Sequence, residues 1–63
     1  MSIKVGVLMG GDSHEREVSI STGMAVFKAC ESLGYVVTKF LFVNNYKKFI
    51  NKLKEQDIIF NAL

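Results

Sequence analysis

The run Ile3-Lys4-Val5-Gly6-Val7-Leu8-Met9, stopped by Gly10-Gly11, limits what this chain can fold into. Apart from Lys4 the run is apolar, and its β-branched content is high. Continuous rather than alternating hydrophobicity marks a strand covered on both faces, the kind found in parallel sheets. Two successive glycines then permit the positive φ angles that other residues resist, so the strand ends in a tight turn.

A helical pattern leaves that turn, spanning roughly 13–33. Val18, Thr22, Ala25, Val26, Ala29, Cys30 and Leu33 share a stripe at the 3.6-residue period and form the expected core face. Gly23 lies beside the stripe and allows a close approach to the sheet. Ile20, Met24 and Phe27 make a second apolar line, expected to meet another domain or subunit. Gly34 ends the helix as a glycine just past its C-cap. Residues 35–43 read as a second strand, and Asn44-Asn45 as a loop and N-cap. Tyr46, Phe49, Ile50 and Leu53 repeat at the spacing of a short amphipathic helix. Residues 57–61 form a third strand. Strand–helix–strand–helix–strand with short connections implies right-handed crossovers. The expected fold class is α/β: a three-layer Rossmann-like βαβαβ unit with a parallel sheet of order 2-1-3.

Composition bounds the function. At 63 residues this is one small domain, of a size that buries only about 60% of its unfolded surface. Cys30 is the lone cysteine, so no disulfide framework reinforces it, and a reducing compartment fits. With 49% hydrophobic residues the chain reads as packed, not disordered. The net charge of +2 is slight, and Lys47, Lys48, Lys52 and Lys54 alternate with apolar residues as the polar face of a helix. That argues against a nucleic-acid partner. No secretory leader and no stretch near ~20 apolar residues is visible, so no membrane association is expected and the localisation read is cytoplasmic. The last residues, 57–63, are largely apolar, and a longer chain cut after its third strand is expected.

Chemistry, if present, lies between Met9 and Gly23. Ligands of open parallel sheets bind outside the carboxyl ends of the strands, and a helix start there favours an anion. Met9-Gly10-Gly11-Asp12-Ser13-His14 lacks the third glycine of a dinucleotide fingerprint and the G-K-[ST] of a P-loop. One histidine and one cysteine far apart give no metal-ligand spacing. Glu15 has two readings. It is a carboxylate placed to pair with an ammonium group, or it is the partner of Asp12 in a D-x-x-E capping box. Arg16 and Glu17 read as exposed first-turn charges, Ser13 and Ser19 as caps or helix-surface hydroxyls, and Cys30 as core. No base stands in sequence to activate either serine.

The stretch 7–23, Val-Leu-Met-Gly-Gly-Asp-Ser-His-Glu-Arg-Glu-Val-Ser-Ile-Ser-Thr-Gly, resembles the opening motif of bacterial D-alanine–D-alanine ligases, G-G-x-S-x-E-[RH]-[ED]-[VI]-S. The third strand also resembles the family's I-x-x-A-L segment. The resemblance implies an ATP-grasp enzyme, with residues 1–63 the N-terminal part of its substrate-binding pre-ATP-grasp domain. It implies that ATP, with magnesium or manganese, phosphorylates one D-alanine and that a second D-alanine attacks the acyl phosphate to form the dipeptide of peptidoglycan. Glu15 would act as the catalytic and substrate-binding carboxylate, holding the first D-alanine's amino group. Val18 would lie near the substrate methyl, and Ser19 would complete the substrate-binding set. ATP and metal would be bound by domains outside these residues, the fragment alone would be inactive, and the full-length enzyme would be a homodimer. Asp12 stands where the family varies, and Thr22 where serine is frequent.

Two other readings stay open. The turn is similar to the M-G-S-x-S-D turn of purine-synthesis carboxylase mutases, but Gly11 and His14 depart from it and nothing there explains residues 15–19. A non-catalytic Rossmann-like or receiver-like binding module is the second. A receiver needs acidic residues at the strand ends, and the second strand ends in asparagines.

Overall fold

The computed structural model describes residues 2–11, 14–42 and 46–63, with the main chain only for residues 46 and 48. Strand β1, Lys4–Gly10, is the centre of a three-stranded sheet. It pairs in parallel with β2, Val36–Phe42, and with β3, Ile58–Asn61, in the order β2-β1-β3. The expected strand order and all-parallel sheet are therefore what the chain adopts. The register sets Lys4 against Val36 and Gly10 against Phe42 on one side, and Val5 against Ile58 and Leu8 against Asn61 on the other. The most continuously apolar strand takes the one position with neighbours on both edges.

Alternation along β1 sends Val5, Val7 and Met9 to one face, and these three are buried. Helix α1, Arg16–Ser32, covers that face, bringing Ile20, Met24, Val26, Phe27 and Cys30 against it. On the opposite face Phe40, paired with Leu8, packs on Phe49 with ring centroids 5.5 Å apart at 48°. Phe49 closes a 3₁₀ turn, Tyr46–Phe49, that runs into a short helix α2, Ile50–Lys54. The second helix is thus split in two, and its expected cap at Asn44-Asn45 lies outside the described residues. A tilted aromatic pair is worth about 0.5–1.5 kcal/mol beyond its buried area. It supplies the second layer that a strand apolar on both faces requires.

Two expectations about α1 are overturned. The first concerns its start. Arg16 is the first helical residue and Glu15 occupies the N-cap position without a side-chain cap hydrogen bond, so a box placing Glu15 in the third helical position does not form. Asp12 and Ser13 lie outside the described residues. The second concerns its inner face, where Val26 and Cys30 of the expected stripe do pack on the core but the rest of it does not. Val18 and Leu33 are 64% and 71% exposed, and Thr22, Ala25 and Ala29 are exposed as well. The line Ile20, Met24 and Phe27, expected to meet a partner, packs instead on the chain's own sheet. The reason is Gly23. A Cβ there would lie 2.7 Å from Cβ of Met9 and 2.8 Å from its Cε. The helix therefore touches β1 at its smallest residue, and the faces beside Gly23 turn inward.

The helix ends as expected. Gly34, at φ 89°, donates to Glu31, and Tyr35 donates to Cys30 at 3.1 Å, the paired bonds of a Schellman cap. Among the described residues no helix is long and apolar enough to cross a membrane.

Candidate functional site

The turn after β1 is held from three directions. Gly10 and Gly11 have φ of 105° and 92°, the left-handed region that only glycine enters without strain. The Gly11 N–H donates to the Phe42 carbonyl at 2.9 Å, fixing the turn to the end of β2. The Gly10 N–H donates to Oγ of Ser19 at 2.9 Å, and Ser19 is only 6% exposed. The Gly11 carbonyl accepts from Nη1 of Arg16 at 2.6 Å. Ser19 is thus not a helix-surface hydroxyl, and Arg16 is not a freely exposed charge. Both first-turn side chains fold back to satisfy main-chain groups that no ladder reaches.

These bonds decide one chemical question. A glycine-rich turn cradles phosphate when its N–H groups point outward. Here both glycine N–H groups are already engaged by protein acceptors. These two N–H groups therefore form no anion nest, although the composition permitted one.

A cleft of about 100 Å³ opens beside the turn, lined by Gly10, Glu15, Val18, Ser19, Thr22, Ala62 and Leu63. It sits at the carboxyl ends of β1 and β3, where ligands of parallel sheets bind. Glu15 reaches it from the N-cap of α1, while Val18, Ser19 and Thr22 come from the helix's first two turns. The helix spacing i, i+3, i+4, i+7 from residue 15 puts these four on one side. Glu15, Val18 and Ser19, singled out in the sequence, are thereby brought together. Ala62 and Leu63 were not anticipated as lining, because no local pattern tells which residues follow a strand back toward the first turn. Among the described residues Glu15 is the one charged side chain in the lining. A carboxylate among small or apolar walls and two hydroxyls is more compatible with a compact cation than with an anion. Among the described residues no group of three or more His, Cys, Asp or Glu is placed to hold a metal ion.

Fold and cleft together define a parallel α/β unit with a small cleft beside its first turn. Relatives make that class specific: over nearly its whole length the chain is homologous to D-alanine–D-alanine ligases. It is 44% identical over 61 residues to the ligase of Thermotoga maritima, covering 97% of this chain and 20% of that protein. Against the ligase of Glaesserella parasuis it is 48% identical over 63 residues, covering 95% of this chain and 20% of the relative. Ligase B of Brucella suis is 46% identical over 59 residues, with 94% and 19% covered. The chain therefore spans about one fifth of the length of the curated relatives it matches. No family model matches the chain, and no solved structure does.

Proposed function

We propose that this chain is the N-terminal part of a D-alanine–D-alanine ligase and supplies part of the site for the first D-alanine. The observation that carries the reading is the cleft itself. The three motif positions Glu15, Val18 and Ser19 share one wall, and among the described residues Glu15 is the charged side chain there. D-alanine offers an ammonium, a methyl and a carboxylate. The Glu15 carboxylate pairs with the ammonium, and Val18 with Ala62 provides apolar contact for the methyl. Ser19 reaches the cleft while its Oγ accepts from Gly10, so it fixes the floor against which the substrate rests. Holding the ammonium at a helix start orients the carboxylate for reaction, and orientation is where such a residue contributes to rate.

In the proposed reaction ATP phosphorylates the D-alanine carboxylate and the amine of a second D-alanine displaces the phosphate, giving the dipeptide for peptidoglycan in the cytoplasm. Among the described residues the Gly10 and Gly11 N–H groups are engaged and no acidic cluster forms, so none of these residues is assigned a phosphoryl or metal role. Those roles belong to the remaining four fifths of a ligase of the relatives' length, and residues 1–63 alone are inactive.

The test uses the intact ligase carrying this chain, with ATP, magnesium and D-alanine. Phosphate release that depends on D-alanine is expected. Glu15→Gln should raise the KM for the first D-alanine by about 10- to 100-fold, the value of a hydrogen bond to a charged group. Release unchanged by Glu15→Gln would remove the substrate-orienting role.

A further inference from the structure

The geometry points to Arg16 as a positioning residue that fixes Glu15 through the Gly10-Gly11 turn. The inference rests on the ligase reading of the cleft and adds a residue to it. Arg16 is the first residue of α1 and Glu15 is its N-cap, so the two are consecutive at one helix start. Successive helical side chains diverge by about 100°. Arg16 points back over the turn and donates to the Gly11 carbonyl at 2.6 Å. Glu15 is left facing the cleft. Nη1 of Arg16 also lies 3.4 Å from where a Gly10 Cβ would stand, so the guanidinium packs across the back of a residue that lines the cleft.

The turn it grips is otherwise fixed to the sheet. The Gly11 N–H is tied to Phe42, and the Gly10 N–H to Ser19, whose own N–H donates to the Glu15 carbonyl at 2.9 Å. A closed circuit results. Arg16 joins the helix start to the turn, the turn joins β2, and Ser19 returns to Glu15. With Arg16 removed, the Gly11 carbonyl loses its charged donor and the peptide between residues 15 and 16 keeps only its link to the strand through Ser19. A charge-assisted bond from a planar guanidinium has a fixed direction. Lysine offers the charge with a flexible stem and should restore only part of it.

The experiment compares Arg16→Met, Arg16→Lys, Glu15→Gln and the Arg16→Met/Glu15→Gln double variant of the intact ligase. Amide exchange at Ser19 is followed in parallel. Arg16→Met is expected to raise the KM for the first D-alanine about tenfold and leave the KM for ATP unchanged. In the Glu15→Gln background that effect should vanish, and Arg16→Lys should fall between. Equal shifts in both KM values, or full additivity of the two substitutions, would overturn the positioning role while leaving the ligase reading intact. If the wild type releases no phosphate with D-alanine, the ligase reading fails. The placement of Glu15 is then judged by exchange alone. Faster exchange of the Ser19 amide in Arg16→Met, slowed again in Arg16→Lys, keeps it, and unchanged exchange overturns it.

Discussion

Ser19→Ala would remove the acceptor of the Gly10 N–H and leave that group buried without a partner. An orphaned buried donor costs about 1–3 kcal/mol, a large share of what a domain this small has to lose. Urea unfolding should show that loss. Resemblance to the ligase motif singled out Glu15, Val18 and Ser19 together, and the helix start sets them on one side at i, i+3 and i+4. What Ser19 and Arg16 do for the turn was not legible. Their partners are main-chain groups of Gly10 and Gly11, and only the left-handed turn brings those groups within reach.

For the helix as a unit, Gly23→Ala sets two effects against each other. Alanine improves helix propensity by about 1 kcal/mol. Its Cβ would meet Cβ of Met9 at 2.7 Å, and that atom is anchored to the strand and cannot swing aside. Overpacking costs about 1–3 kcal/mol and should win, so the variant should unfold at lower urea concentration. Met24→Asp would place a charge where α1 meets Val5, Val7 and Met9. It should destabilise the fold by several kcal/mol, seen as a lower urea midpoint. The strands, their order and the glycine that ends α1 were readable from run length, β-branching and turn residues. The inner face of α1 was not. Hydrophobic periodicity ranks side chains by apolarity, whereas the contact forms around Gly23 and Ser19, a residue with no side chain and a polar one.

Across the whole molecule the core is thin. Among the described residues the buried hydrophobic side chains are Val5, Val7, Met9 and Phe40. The Cα radius of gyration is 11.4 Å, against about 10.6 Å expected for this length. The edge strand β3 leaves Ile58, Ile59 and Phe60 54%, 47% and 40% exposed. An exposed apolar edge strand recruits other strands. Residues 1–63 alone should therefore self-associate in sedimentation velocity. Ile58→Lys should reduce that association with an unfolding midpoint within about 0.5 kcal/mol of the parent, as for surface changes.

The cleft joins residues far apart in sequence. One wall is the start of α1, and the other is Ala62 and Leu63, carried there by pairing of β3 with β1 and by the 2.8 Å bond from the Ala62 N–H to the Leu8 carbonyl. During synthesis the first wall emerges well before the second. The nascent chain has no complete cleft until β3 docks, and by linkage any ligand of the cleft would hold β3 in place.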